Sequence, residues 1–162
     1  MPQIEVDAPV ALAAPAAREA VRTALSATVR RSQQGDVTLG ATASSDVARI
    51  EVPVLVESDA DAAHADGDLT LRIVARSMEA LFPAFDGRVA VEPTDSADSR
   101  IRLIGDYRVP LGVLGAVTNA TALDGIAREG LQKFVDDLAR DALGLVRAET
   151  EERLREVRRG VP

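Results

Sequence analysis

The stretch GDYRVPLGVLGAV, from Gly105 to Val117, contains the end of a strand and a turn that leads into a helix. Up to this point apolar and polar side chains alternate, as is typical of a strand with one buried face. Pro110 has no N–H to donate to a sheet, so we expect the strand to end near Val109. Gly112 and Gly115 allow the backbone angles that a tight turn requires. The stretch therefore predicts a final strand that turns sharply into the last helix.

The same alternation recurs upstream and predicts a sheet. Apolar side chains occupy every second position in six runs, which are 4–6, 37–41, 50–56, 69–75, 89–91 and 101–107. The segments between the last five runs are rich in Asp, Ser, Ala and Gly, a composition that is typical of turns and loops. Connections this short favour an antiparallel meander.

A segment with helical periodicity lies between the first two of these strands. Asp7 and Pro9 predict the start of a helix, and Pro15 is a second start signal. Gly35 is predicted to cap the C-terminal end of this helix. Between these signals, one apolar face recurs every four residues and consists of Ala17, Val21, Leu25 and Val29.

A second, longer helix ends the chain. Its apolar stripe has spacings of three and four residues and consists of Leu123, Ala127, Leu131, Phe134, Leu138, Ala142 and Leu145. After Val146 the segment is highly charged, and its large apolar residues before the final two are Leu154 and Val157. We therefore predict one domain over 1–147 and a charged helical extension over 148–162. Two apolar positions are few for a coiled coil, and a homodimer stays open.

Together these elements predict an α+β fold. An antiparallel sheet with one apolar face needs a cover. The last helix is long enough to cross such a sheet, and its apolar stripe matches the apolar face. We expect a curved sheet that wraps around this helix.

Composition and charge exclude several classes of function. The chain has 162 residues and a formal net charge of −7, which opposes binding to a nucleic-acid backbone. It contains no Cys, and so has neither disulfides nor a thiolate nucleophile. No stretch is apolar for long enough to span a bilayer, and the N-terminus lacks the basic start of a secretory signal. We expect a cytoplasmic protein with no integral membrane segment and no nucleic-acid partner.

The acidic segment Glu57–Asp68, ESDADAAHADGD, is the strongest polar feature of the sequence. An EF-hand loop needs oxygen ligands at its positions 1, 3 and 5 and Gly at position 6. A loop that begins at Asp59 has Ala63 and His64 at the last two of these positions, and a loop that begins at Glu57 has Ala62 at position 6. We interpret the segment as a solvated hairpin loop and predict no metal site.

The sequence also favours a protein without catalytic residues. It has no Gly-x-Ser-x-Gly elbow and no phosphate-binding loop. Asp106 and Arg108 flank Tyr107 and should lie on the opposite face of their strand. Arg72 and Arg102 alternate with large apolar residues, so we expect them to point outward. We predict no cofactor.

Three segments between Leu81 and Leu143 resemble a known family. They are LFPAFDGRVAVEP, RIRLIGDYRVPLGVLGAV and GIAREGLQKFVDDLARDAL. They resemble the START/polyketide-cyclase-like superfamily, the helix-grip or SRPBCC group, and in particular its small bacterial members with a Tyr-x-x-Pro-Leu-Gly turn before the last helix. The resemblance implies a helix-grip fold, a curved antiparallel sheet of about six or seven strands wrapped around a long C-terminal helix.

The resemblance further implies a cavity between the sheet and the last helix, which the superfamily uses for lipids, sterols, polyketides and other apolar ligands. All four aromatic residues fall within the matching segments, and a Tyr hydroxyl would supply a polar contact at the cavity mouth. We expect the ligand to contact Leu71, Ile73, Phe82, Phe85, Val89, Leu103, Tyr107, Leu114, Leu131 and Phe134.

Three functions stay open from the sequence. The first is a non-catalytic binding or carrier protein for a small apolar ligand such as a lipid or a polyketide, and the poor inventory of acids and bases favours it. The second is a polyketide aromatase/cyclase-like enzyme in which Tyr or Arg assists proton transfer. The third is a protein-interaction module with a filled core.

Overall fold

The computed structural model describes residues 3–42, 49–60, 67–77, 84–108 and 120–160. Six strands and two helices lie within these ranges. In chain order they are β1 (Gln3–Val10), α1 (Ala14–Gln34), β2 (Thr38–Thr42), β3 (Arg49–Ser58), β4 (Leu69–Ala75), β5 (Ala84–Pro93), β6 (Ser99–Arg108) and α2 (Ala120–Arg159).

The strands form one sheet in the order β1-β6-β5-β4-β3-β2. Every neighbouring pair is antiparallel, so β2 to β6 form a meander and β1 joins its far edge beside β6. The sheet is curled into a half-barrel with the long C-terminal helix against it. The predicted α+β, helix-grip architecture is confirmed.

The N-terminal strand is longer than the sequence predicted. Ile4, Val6, Ala8 and Val10 are all buried, so the alternation continues through Asp7 and Pro9. The prediction that Asp7 and Pro9 start a helix is wrong, because β1 is an edge strand and an edge strand tolerates the missing N–H of proline. The helix begins at Ala14, with Pro15 in its first turn.

The C-terminal end of α1 is closed as predicted. Gly35 has a left-handed backbone with φ 87°, a conformation that glycine adopts without strain. The N–H of Gly35 donates to the carbonyl of Ser32 at 3.1 Å, and that of Asp36 donates to the carbonyl of Arg31 at 3.0 Å. These bonds satisfy two carbonyls that the last turn would otherwise leave open.

Helix α2 packs against both edge strands of the sheet, β1 and β2, and against α1. It also bonds the backbone of β1. Arg128 Nη1 donates to the carbonyl of Glu5 at 3.0 Å, and Gln132 Nε2 donates to the carbonyl of Asp7 at 2.8 Å. The helix therefore spans the opening between the two edges of the half-barrel.

The apolar stripe of α2 is confirmed over most of its described length. Its buried members are Ala127, Leu131, Phe134, Leu138 and Ala142. The prediction for Leu145 is wrong, because its side chain is 36% exposed. At this end of the helix the contact with the core passes to Leu143 and Val146, which lie on another side of the helix from Leu145. The side chain of Leu123 lies outside the described residues.

Candidate functional site

The inner face of β5 and β6 is shaped by an aromatic ring packed over two glycines. Phe85 lies opposite Tyr107, and Gly87 lies opposite Gly105. A Cβ atom on Gly87 would be 2.5 Å from Cζ of Phe85, and one on Gly105 would be 2.6 Å from the same atom. The Phe85 ring therefore occupies the space that side chains at both glycine positions would need.

Tyr107 connects this inner face to α2. Its side chain is buried, and its hydroxyl donates a hydrogen bond of 3.2 Å to Oδ1 of Asp124. Burial is the main cause that raises the pKa of Tyr107 above its ordinary value, and the hydrogen bond to Asp124 adds to it. Both effects favour the neutral phenol, so the hydroxyl keeps its proton for Asp124.

Eight of the ten predicted ligand-binding residues are described, and all eight are buried. They belong to one continuous apolar cluster and are Leu71, Ile73, Phe85, Val89, Leu103, Tyr107, Leu131 and Phe134. Phe82 and Leu114 lie outside the described residues, as does the predicted turn with Pro110, Gly112 and Gly115. That these side chains contact a ligand stays a prediction.

One of these side chains, Phe134, also reaches a cleft at the opening of the half-barrel. The cleft has a volume of about 300 Å³ and lies between the end of α1, strand β2 and helix α2. Core side chains form its floor, which consists of Leu39, Phe134 and Leu138. We call this feature the α1–β2–α2 cleft.

Charged side chains form the rim of the cleft. On one side Arg31 Nη2 bonds both Thr28 Oγ1 and Asp141 Oδ2, each at 3.1 Å. On α2, Lys133 Nζ donates to Asp137 Oδ2 and Arg140 Nη1 donates to Asp137 Oδ1, each at 2.7 Å. Asp36 and Thr38 lie on the opposite wall.

Asp137 is the centre of this network. Burial is the largest single influence on its carboxyl and opposes ionisation, but the hydrogen bonds from Lys133 and Arg140 together outweigh it and lower the pKa of Asp137. The carboxylate is therefore charged at neutral pH and holds two cations at the rim.

This cleft was not predicted from the sequence. One signal was available, because Lys133, Asp137, Arg140 and Asp141 recur at helical spacing and so share one side of α2. The α1 side of the cleft could not be predicted from the sequence in this way. Arg31 and Asp141 are 110 residues apart in the chain, and no local pattern relates them.

The outward orientation predicted for two arginines is confirmed. Arg72 pairs with Asp86 at 3.4 Å and with Glu57 at 3.8 Å, and Arg102 pairs with Glu5 and Glu92 on neighbouring strands. Arg108 also bonds Asp86. These pairs form a ladder across the outer face of the sheet, on the side opposite Tyr107.

The acidic loop is described only at its two ends. Asp59 Oδ1 accepts a hydrogen bond of 2.7 Å from the N–H of Thr70, so this carboxylate helps to fix the β3–β4 hairpin. His64 and its neighbours from 61 to 66 lie outside the described residues. In the described ranges, no group of three or more His, Cys, Asp or Glu side chains is arranged to hold a metal ion. In the same ranges, no helix is long and apolar enough to cross a membrane.

Comparisons with known proteins give matches at the level of structure. No protein-family model and no curated protein sequence matches the chain. A protein from Thermus thermophilus is similar with a TM-score of 0.54 and 10% identity, over 89% of this chain and 99% of that one. Ara h 8.0201 is similar with a TM-score of 0.54 and 10% identity, over 91% of this chain and 98% of that one.

A weaker similarity links the chain to the Zhui aromatase/cyclase from Streptomyces sp. R1128, with a TM-score of 0.46 and 16% identity, over 94% of this chain and 95% of that one. Identities this low relate folds and not activities. One conclusion follows from the curled antiparallel half-barrel, the long helix that spans its opening and the two stronger similarities. The chain has the START/polyketide-cyclase-like, or helix-grip, fold.

Proposed function

We propose that the protein binds a small, mainly apolar ligand between the sheet and α2, and that it carries out no chemistry on this ligand. The observation that supports the proposal is the α1–β2–α2 cleft, whose floor is formed by the buried side chains of Leu39, Phe134 and Leu138 beneath a charged rim. Ligand pockets in proteins are typically lined by apolar side chains with a few polar groups, and span about 300–1,000 Å³. The volume of the cleft, about 300 Å³, lies at the lower end of that range, and four of its twelve lining residues are apolar.

The positions of the arginines favour binding over catalysis. A cyclase that used Arg and Tyr for proton transfer would need both side chains at one site. Arg72 and Arg102 instead lie on the outer face of the sheet, where acidic partners bind them, and Tyr107 lies on the inner face. Arg128 of α2 is near enough to Tyr107 for its charge to act on the hydroxyl, but its guanidinium donates to the backbone of β1. We therefore retain binding as the function that the described geometry supports best.

The proposal is tested by titrating the protein with a neutral dye that is excited in the visible and emits more strongly in apolar surroundings. Thr38 is exposed and lines the cleft, so Thr38→Trp should fill much of the volume and weaken dye binding at least tenfold. Thr23 is exposed on α1 and is not part of the cleft, so Thr23→Trp serves as the matched control and should bind as the wild type does. Absence of dye binding, or equal affinity in both variants, would contradict the proposal.

A further inference from the structure

We infer that the ligand carries a single carboxylate, and that Lys133 and Arg140 hold it on the α2 wall of the α1–β2–α2 cleft. This inference rests on the proposed function, because it assigns the polar end of the same ligand. Two observations support it, which are the balance of charge at the rim and the position of the rim relative to the apolar floor.

Among the side chains that line the α2 wall, two cations share one carboxylate once Asp141 is paired with Arg31 of α1. Arg31 and Asp141 pair one to one, at 3.1 Å. Lys133 and Arg140 share Asp137, each through a different carboxylate oxygen at 2.7 Å. A Lys ammonium has three donors and an Arg guanidinium has five. Each cation therefore keeps N–H groups that can donate hydrogen bonds to a second carboxylate.

The opposite wall determines which way the ligand lies. Asp36 stands on the β2 side, so the whole rim has three cations and three carboxylates. This balance disfavours a ligand with several negative charges. It also directs a single carboxylate away from Asp36 and toward Lys133 and Arg140 on α2.

The apolar floor adjoins these cations along the helix. Phe134 follows Lys133 directly, and Leu138 follows Asp137, and all four side chains line the cleft. A ligand whose carboxylate meets Lys133 and Arg140 can therefore place its apolar part on Phe134 and Leu138. The arrangement fits a medium-chain carboxylic acid or another apolar acid of similar size.

The test compares decanoate with decanol by isothermal titration calorimetry at pH 7 and low ionic strength. The two ligands share their chain and differ in charge. The rim side chains are largely exposed, with 42% for Lys133 and 73% for Arg140, and exposed ion pairs contribute about 0.2–1 kcal/mol. We expect decanoate to bind roughly 1.4- to 5-fold more tightly than decanol.

Two variants should change this ratio in opposite directions. Lys133→Gln removes a cation and should bring the affinity for decanoate down to that for decanol. Asp36→Asn removes the opposing carboxylate and should raise the affinity for decanoate alone. Arg158→Gln and Glu156→Gln make the same charge changes on the exposed end of α2 and should leave both affinities unchanged.

The outcomes separate the two proposals. Equal binding of decanoate and decanol by the wild type overturns the carboxylate inference and leaves the binding function standing. A weaker affinity for decanoate in Asp36→Asn also overturns the inference, because it would place the carboxylate elsewhere. Failure of both ligands and of the neutral dye to bind overturns the proposed function, and the inference with it.

Discussion

Tyr107 is the only Tyr in a chain without Trp or Cys, so its ionisation can be followed by absorbance without interference. Burial and the hydrogen bond to Asp124 raise its pKa, and we expect a titration midpoint above the ordinary value of about 10. Asp124→Asn removes the negative charge beside the hydroxyl and should lower the midpoint. Asp136→Asn, on an exposed position of the same helix, is the control and should not move it. A wild-type midpoint at or below about 10 would contradict this assignment.

The raised pKa of Tyr107 also predicts how the free energy of unfolding depends on pH. A side chain whose pKa is higher in the folded than in the unfolded chain stabilises the folded protein. This stabilisation is fully present below the unfolded pKa, near 10, and is lost as the pH rises through the folded pKa. We expect the free energy of unfolding in urea to decrease above about pH 10 in the wild type and to decrease less in Tyr107→Phe. An identical decrease in both proteins would show that another group is responsible.

Ser32 is the buried polar side chain that connects α1 to the sheet. It is fully buried, its Oγ accepts a hydrogen bond of 3.0 Å from the N–H of Val56, and it donates one of 2.7 Å to the carbonyl of Val29. Ser32→Ala leaves the N–H of Val56 without this acceptor and should lower the free energy of unfolding by about 1–3 kcal/mol. Ser26→Ala on the same helix should be neutral or stabilising, since alanine is the better helix former. Urea denaturation of both variants measures the difference.

Gly87 of β5 and Gly105 of β6 lie where the backbone of the neighbouring strand leaves no room for a side chain. A Cβ on Gly87 would lie 2.4 Å from the carbonyl oxygen of Ile104, and one on Gly105 would lie 2.4 Å from that of Asp86. Backbone atoms in a ladder have little room to move, so Gly87→Ala and Gly105→Ala should each destabilise the protein by about 1–3 kcal/mol. In α2, a Cβ on Gly144 meets nothing within 4 Å, and Gly144→Ala should stabilise by up to about 1 kcal/mol. Equal effects at the three positions in thermal unfolding would contradict the packing described here.

The end of α2 should tolerate deletion, because every described residue from Arg147 onward is exposed. We propose that the folded domain ends near residue 147, as the charge pattern predicted. Deleting Glu149–Pro162 should leave cooperative thermal unfolding and shift the midpoint by no more than about 2 °C. A deletion that begins at Asp141 also removes the buried Ala142 and half-buried Val146 and should abolish cooperative unfolding. Loss of the transition in the shorter deletion would show that the extension belongs to the domain.

For the molecule as a whole, periodicity in the sequence was sufficient to predict the class of fold but not every boundary. The alternation around Leu71, Leu103 and Tyr107 predicted which side chains are buried, because a strand has a fixed period of two. At Pro9 the rule for helix starts competed with the alternation that continues to Val10, and the alternation was correct. Leu145 was misplaced because helical spacing alone does not show where a neighbouring surface ends.

The candidate site was less predictable than the fold. Phe134 was identified from the helical stripe, and it is the predicted residue that reaches the α1–β2–α2 cleft. The charged rim was missed, because Arg31 and Lys133 come together only through the tertiary packing of α1 on α2. A pattern in one segment carries no information about which distant segment will face it.

The pairing of β1 with β6 has a consequence for how the chain is made. Glu5 and Arg102, which pair across these strands, are 97 residues apart. At a synthesis rate of roughly 5–20 residues per second, the first strand waits on the order of 5–20 s before its partner exists. The side chains of Arg128 and Gln132, which bond the backbone of β1, emerge later still. On the ribosome β1 therefore remains without its partner strand until Ser99–Arg108 has been synthesised, and it is a segment that a molecular chaperone would have reason to shield.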